Sequence, residues 1–521
     1  MRWGRLTTVR HMTVTTTDYV SAHAAAQPTA AAIIEGDAVT TWDEFERRAN
    51  QWANVLVTLG VRPGTKLVWC GPNSTEVVVM IAAARKAGAV AVPLNYRLTP
   101  PEAGYVIDNS DSTVVLFDVE QVAQLEPARD KCPKVTSWVA FRGEAPAWAE
   151  SMEALASSAP ETAPRVELTP GSGATMIYTS GTTGQPKGAL RSATNVEAAL
   201  ALFGHIGYQP GDVYLTTGPL YHSGPLGFMA PVQMLGGTVV IQRKFDPEAW
   251  LQLVERHRVT TTFSAPTPIR RVVDLPAETI AKYDTSSLAR VIANAAPWPF
   301  ELKRRYVEAL GDTSLWEVYG STELGVNTVL TPADQMRKPG SCGRPAPGVE
   351  LALFDDEGNQ VSEPKVPGEL FVRSKSTFDT YYKAEEKFES ARRGDWLTVG
   401  DVAYFDDEGY YYICDRKNDM IISGGMNVYP AEIEAALLEH DAVADVAVFG
   451  VPSDEWGEAV HAVVVERTPV DDDALVAFAR ERLASYKVPR TFSRIDEIPR
   501  TASGKTLKRE LRAVYGDSRS A

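Results

Sequence analysis

Residues 178–188 read Tyr-Thr-Ser-Gly-Thr-Thr-Gly-Gln-Pro-Lys-Gly, and no other stretch constrains the fold so strongly. The residues just before it, 174–178, are mostly apolar and read as a buried strand that delivers the loop. Three glycines and four Ser/Thr hydroxyls surround one cation, Lys187. Such a loop has little side-chain bulk and exposed backbone N–H groups, which a polyphosphate needs for close approach. The expectation is a triphosphate site at a strand end.

Two rival readings are weaker. The P-loop pattern G-x-x-x-x-G-K-[ST] fails, because Gln185 and Pro186 separate Gly184 from Lys187 and no Ser or Thr follows the lysine. A plain surface turn is the usual meaning of clustered Gly, Ser and Thr. The strand ahead of the loop argues against it.

With 521 residues the chain is too long for one core and suggests roughly two to four structural units. From Tyr19 to about Asp130, amphipathic stretches such as 42–59 alternate with short apolar runs such as 66–70 and 114–117. This predicts parallel α/β construction. Residues 142–170 read as a surface connection, and the alternation resumes through 237–241, 259–264 and 288–293. From about Pro347 short strands and Asp-Asp-Glu-Gly turns (355–358, 406–409) predict antiparallel β. A smaller α+β unit follows, with Pro430 in a helix first turn, a helix over 432–439, strands over 443–451 and 462–466, and a helix over 472–484. The expected fold is α/β: a large N-terminal domain of α/β subdomains with a β-rich subdomain, then a small mobile C-terminal α+β domain. The boundaries read 1–18 as an N-terminal extension, with Met12 a candidate natural start, then 19–415 and 416–521.

Charge narrows the partners. With 67 acidic against 52 basic residues the net charge is −15, which excludes nucleic-acid binding through a broad basic face. Four scattered cysteines show neither metal-ligand spacing nor a paired framework, which fits a reducing cytoplasm. The most apolar run, 77–94, is broken by Arg85 and Lys86, so no membrane span and no signal peptide is expected.

Four further segments bear on chemistry. In 317–323, Glu-Val-Tyr-Gly-Ser-Thr-Glu, Tyr319 at a strand end can stack on a base, Gly320 lets the backbone close in, Thr322 can bind a phosphate oxygen and Glu323 can hold Mg²⁺. A buried Tyr and a surface Glu is the ordinary alternative. Asp401, after Gly400, can accept both ribose hydroxyls, although a turn-capping Asp is the commoner meaning. The charged run 415–419 before Ser423, Gly424 and Gly425 reads as a jointed connection. Near the C-terminus, Lys505 is presented by the flexible loop 499–505, where a lone Lys is otherwise just solubilising.

These segments, with Pro219-Leu220-Tyr221-His222-Ser223 and Ala295-Ala296-Pro297, stand in the order of the AMP-forming acyl-CoA synthetases of the adenylate-forming superfamily, and the resemblance runs from about Tyr19 to Leu511. It is similar above all to bacterial fatty-acyl-CoA ligases. The resemblance implies ATP, CoA and Mg²⁺ as cofactors, and a hydrophobic carboxylic acid, a fatty acid, as substrate. Aryl or polycyclic acids, a stand-alone acyl-AMP ligase and a catalytically silent nucleotide- or acyl-binding protein are the alternatives. It further implies that Thr179, Ser180, Gly181, Thr182, Thr183, Gly184 and Lys187 cradle the β- and γ-phosphates. Tyr319, with Gly320 and Ser321 after it, and the Ala295, Ala296 and Pro297 backbone would bracket adenine. Asp401 and Arg416 would bind ribose, and Glu323 would bind Mg²⁺. Lys505 would meet the carboxylate and α-phosphate, with Thr322 and His222 beside the reacting groups. Ser423, Gly424 and Gly425 would line the thiol channel, and Asn418 would be the hinge. That no carrier domain follows Lys505 points to CoA as acceptor. Peripheral membrane contact and a homodimer stay open. Asn294 and Trp298 stand where the family has a glycine and a smaller aliphatic, and Asn418 where it has Asp or Lys.

Overall fold

The computed structural model describes residues 18–516 other than 169–170, 180–184, 193–195, 297, 418, 424–425, 454 and 501–505. The chain divides into two compact units. The first holds the described residues up to Met176, together with Gln209–Asp212 and Met229–Ile241; the second holds the rest.

In the first unit the parallel strands run in the order Glu150–Ser151, Ser137–Phe141, Val114–Asp118, Lys66–Cys70, Val90–Leu94. Val114–Asp118 is buried at every position, because a parallel sheet is covered on both faces and its central strands are apolar throughout. The long apolar run 77–94 has the same cause. It is a buried helix, Thr75–Lys86, turning at Gly88 (φ +72°) into the strand Val90–Leu94. A helix apolar all round belongs inside a core. The amphipathic stretch expected over 42–59 is the helix Trp42–Thr58, opened by a capping box in which Glu44 N–H donates to Thr41 Oγ1 and Thr41 N–H to Glu44 Oε2. Residues 142–170 are more than a connection. Glu150–Ser151 adds a strand and Ser151 caps the short helix Met152–Ala156, whose Met152 is fully buried.

In the second unit the strands Val213–Leu215, Thr261–Ser264, Arg290–Ala293 and Leu315–Ser321 are parallel, and Gly325–Leu330 and Arg344–Pro345 extend the sheet antiparallel. The predicted β-rich stretch follows: Val349–Phe354 pairs with Gly368–Ser374, which pairs with Asp401–Phe405, which pairs with Tyr411–Arg416, all antiparallel. Beyond it lies the hairpin Val443–Ser453 and Gly457–Glu466, whose second strand also pairs with Ile421–Ser423, antiparallel, and with Thr491–Arg494, parallel. One core packs this sheet against the helices Pro430–Leu438 and Asp472–Arg480 through Ile433, Leu437, Leu475 and Val448, each fully buried. Burying such a side chain contributes about 1.5–3 kcal/mol. A second core packs Phe449 and Val463 against Leu511 of the helix Lys508–Tyr515. The helix predicted over 472–484 stops at Arg480, and Leu483 reaches the core from the turn beyond. The architecture is α/β, with a large N-terminal part and a small C-terminal α+β part.

Candidate active site

The strand Thr175–Thr179 runs into the glycine-rich loop, whose residues 180–184 lie outside the described residues, and the chain returns as the strand Lys187–Arg191. This returning strand pairs antiparallel with Thr380–Tyr382, Tyr381 opposite Ala189. Thr179 Oγ1 and Tyr381 OH both donate to Glu323 Oε1, each at 3.0 Å. Glu323 is buried, and an ionised carboxylate is acceptor-only, so these two hydroxyls satisfy one of its oxygens. Lys187 Nζ lies 5.3 Å from the centre of the Tyr381 ring. Burial first, then the Lys387 ammonium beside it, hold the Lys187 pKa below the usual lysine value, while Glu323 pulls it up. One cluster thus joins both flanks of the loop to Glu323, 144 residues away from Thr179.

Glu323 is aimed there by the turn between Leu315–Ser321 and Gly325–Leu330. A Cβ on Gly320 would meet the Gly325 carbonyl oxygen at 2.1 Å, so no side chain fits. Ser321 Oγ accepts the Leu324 N–H at 3.0 Å and closes the turn. Thr322 Oγ1 and Ser223 Oγ lie 2.9 Å apart, which brings the segment of His222 to Thr322. His222 N–H bonds the Pro219 carbonyl, and its ring sits 4.2 Å from that of Tyr221. Arg191 Nη2 donates to the Thr322 carbonyl at 2.9 Å and Nη1 to the Ser376 carbonyl, so a guanidinium braces this turn from behind. Burial lowers the Arg191 pKa from its ordinary value.

Asp401 and Arg416 are direct partners across the antiparallel pair Asp401–Phe405 and Tyr411–Arg416, with Arg416 Nε 3.5 Å from Asp401 Oδ1. Gly400 (φ +80°) makes the turn that starts the strand. Tyr319 is the fifth of seven residues in Leu315–Ser321, inside the strand and not at its end, and its hydroxyl donates to Asp401 Oδ2. Burial and then the Asp401 charge raise the Tyr319 pKa well above the phenolic norm, so it stays a donor. Asn294 accounts for its own departure from the family pattern. Its Nδ2 donates to the Val318 carbonyl at 2.5 Å and its Oδ1 accepts the Ala295 N–H, fixing Ala295 at φ +72° against the strand of Tyr319.

Ser423, in the strand Ile421–Ser423, is buried. Pro297, Asn418, Gly424, Gly425 and Lys505 lie outside the described residues. Tyr381, Arg191 and Ser223 are the members of the cluster that sequence reasoning did not assign. Among the described residues no three His, Cys, Asp or Glu side chains group as metal ligands. A lone hard-oxygen carboxylate such as Glu323 nevertheless suits Mg²⁺, which is commonly held by one or two carboxylates with substrate phosphates. No helix among the described residues is long and apolar enough to cross a membrane.

Residues 20–382 match the family of AMP-binding enzymes and residues 432–505 the C-terminal domain of AMP-binding enzymes. The chain is 34% identical over 497 residues to a feruloyl-CoA synthase of an Amycolatopsis species, covering 94% of this chain and 96% of that one. It is 33% identical over 485 residues to the long-chain-fatty-acid–CoA ligase FadD13 of Mycobacterium tuberculosis, covering 92% and 94%. Among solved structures, ATP-bound MatB from Rhodopseudomonas palustris superposes with a TM-score of 0.86 at 28% identity, covering 97% of this chain and all of that one. The chain belongs to the AMP-binding enzymes of the adenylate-forming superfamily and is an acyl-CoA synthetase of that family.

Proposed function

We propose that this acid–CoA ligase activates a hydrophobic carboxylic acid, a medium- or long-chain fatty acid, and that the clustered side chains divide the work as follows. Thr179, Lys187 and the loop between them hold the β- and γ-phosphates of ATP. Asp401 and Arg416 hold the ribose, and Tyr319 and the segment Ala295–Ala296 flank adenine. The observation that carries the reading is the Glu323 cluster, which puts a carboxylate, two hydroxyls and the Lys187 ammonium at one strand end. Four cysteines that are all free thiols favour the cytoplasm as its setting.

A carboxylate is a poor acyl donor because its leaving group is oxide. Attack of its oxygen on the α-phosphorus expels pyrophosphate and turns that oxide into AMP, a far better leaving group. Negative charge gathers on the α-phosphoryl group, where the Lys505 ammonium stabilises it and Thr322 binds a phosphate oxygen, while His222 orients the acid. Glu323 would hold Mg²⁺, which when bound would neutralise phosphate charge. A thiolate of CoA then attacks the acyl carbonyl and releases AMP. The lysine loop would obstruct that approach, so the small domain turns about Asn418 and brings Ser423, Gly424 and Gly425 to the thiol path.

A mostly apolar cavity of about 150 Å³, lined by Leu202, Phe203, Ala199, Val326 and Pro347 with Arg191 and Ser376 at its polar side, supports a hydrophobic acid without separating an aliphatic chain from an aryl ring. Aryl acids compete, since the relative named for feruloyl-CoA synthesis is as similar as the fatty-acid one. A panel of aliphatic and aryl acids, read by CoA-dependent AMP release, tests the choice; preference for aryl acids overturns it.

Two substitutions follow from this division of roles. Glu323→Gln keeps an oxygen to accept from Thr179 and Tyr381 but removes the charge, so the fold is expected to survive while the KM for MgATP rises about tenfold. Magnesium titrations that match wild type would mean that Glu323 has been misassigned. Asn418→Pro fixes φ and removes a backbone donor at the hinge, so one domain pose is expected to be trapped and one half-reaction to suffer far more than the other. Small, equal losses in both would count against a pivot there.

A further inference from the structure

The described chain on either side of residues 501–505 is fastened more firmly than a tether needs. Arg500 and Thr506 face each other as an antiparallel bridge, and Leu507 N–H donates to the Pro499 carbonyl at 2.8 Å. The chain therefore leaves and returns through a closed neck, with Thr506 directly after Lys505. Outside the neck, Ile498 and Leu511 are both buried in the core of Phe449 and Val463. One guanidinium ties the neck to the sheet. Arg500 Nη2 donates to both Asp445 carboxylate oxygens, at 2.9 and 2.8 Å, while Nη1 donates to Thr506 Oγ1 at 3.1 Å. A β-bulge sets Asp445 in place: Val443 and Asp445 oppose the adjacent residues Glu466 and Val465, so Ala444 is the extra residue. Asp445 Oδ1 also accepts the Val446 N–H at 3.0 Å, which fixes the carboxylate. A planar guanidinium can hold the sheet carboxylate and the far side of the neck at once, whereas an ammonium is a single point charge. The Arg500 side chain is 32% exposed, and an ion pair so open to water adds little to stability. What the contact supplies is placement.

We propose that Arg500 is a positioning residue for adenylation, which through Asp445 and Thr506 fixes the neck from which Lys505 reaches the α-phosphoryl group. The assignment rests on the adenylation role given to Lys505 above and extends it to three residues that touch neither nucleotide nor acid. A cation stabilises developing charge only where it is held in place beforehand, and a small misplacement costs rate without changing how the substrates bind. The neck therefore governs the turnover of the first half-reaction. The thiol step does not use Lys505 and has no need of it.

The test measures both half-reactions of the full chain in Arg500→Lys, Thr506→Val, Thr506→Ser and the double variant Arg500→Lys/Thr506→Val, with Lys505→Ala as reference. Thr506→Val keeps the shape of the side chain and removes the acceptor. Arg500→Lys keeps the charge and removes the fork. Each should lower the kcat of ATP–pyrophosphate exchange about tenfold with the KM for ATP little changed, while conversion of supplied acyl-AMP and CoA stays near wild type. Thr506→Ser, which retains the hydroxyl, should restore exchange. The double variant should be no worse than either single one, because both break the same contact. Wild-type exchange in the single variants, additive losses in the double, or equal losses in both half-reactions would each overturn the positioning role while Lys505→Ala remains defective. Wild-type exchange in Lys505→Ala would overturn the role of that lysine, and the neck's role with it.

Discussion

In a Lys505→Ala variant, ATP–pyrophosphate exchange is expected to fall about a hundredfold to a thousandfold, the usual effect of deleting one preorganised donor to a charge that develops in the transition state. The same variant should convert externally supplied acyl-AMP and CoA to thioester at close to the wild-type rate. The asymmetry follows from the proposed swing of the small domain, which carries the lysine away before the thiol attacks. Folding should be unaffected, because the sequence reads 499–505 as a flexible loop and substitutions in such segments usually shift stability by no more than about 0.5 kcal/mol. Rapid-quench measurement of each half-reaction separates the outcomes. A well-folded variant equally impaired in both steps would sink the two-pose mechanism.

How much of this site a reader could find in the sequence depends on what holds each part together. Asp401 stands out in the sequence because it follows the Gly400 turn, whereas Arg416 reads there as part of the charged run 415–419 and gains a ribose role only through the resemblance; the structure puts it at the end of the strand Tyr411–Arg416, directly opposite Asp401. The glycine-rich loop stands out in the sequence because its chemistry is contiguous, although its residues 180–184 lie outside the described residues. Glu323 was legible as a metal candidate, but not as the acceptor of Thr179 and Tyr381. Those hydrogen bonds span 144 and 58 residues, and local pattern carries no information across such distances. Arg191 was invisible for the same reason. Its role is to brace a backbone carbonyl 131 residues ahead, and an Arg at the end of a strand signals nothing about that.

Elements show the same division. The strands at 66–70 and 114–118 could be placed because parallel strands covered on both faces are continuously apolar. Residues 142–170 could not, since a two-residue strand and a five-residue helix are too short for a period to show. Asn294 is the most instructive case. In the sequence it is only a departure from a family glycine, whereas in the structure its side-chain amide bonds both the next N–H and the Val318 carbonyl, replacing backbone freedom with two fixed contacts.

The largest stability effect is expected at Lys303, which sequence analysis passed over. Lys303, on the helix Phe300–Leu310, is 1% exposed and ion-paired with the buried Glu317 of the strand that carries Tyr319. Burial raises the Glu317 pKa, and the Lys303 charge and the Trp298 backbone N–H partly offset it. Lys303→Met removes the main offset and leaves a buried carboxylate unpaired, which typically costs about 3–5 kcal/mol. The sign of its pH dependence follows from linkage. With Lys303 gone, the folded-state pKa of Glu317 rises further above its unfolded value, so the folded protein binds a proton that the unfolded chain has released. Its penalty is small below the unfolded pKa and grows as pH rises towards the folded one. Urea unfolding should therefore show a larger loss at pH 8 than at pH 5. The double variant Lys303→Met/Glu317→Leu should recover most of it, because an apolar pair of similar volume often replaces a buried ion pair at little cost, less about 1 kcal/mol for the Trp298 N–H left without its acceptor. A double variant no more stable than Lys303→Met, or a loss independent of pH, would mean that the lysine matters through its packing and not through its charge.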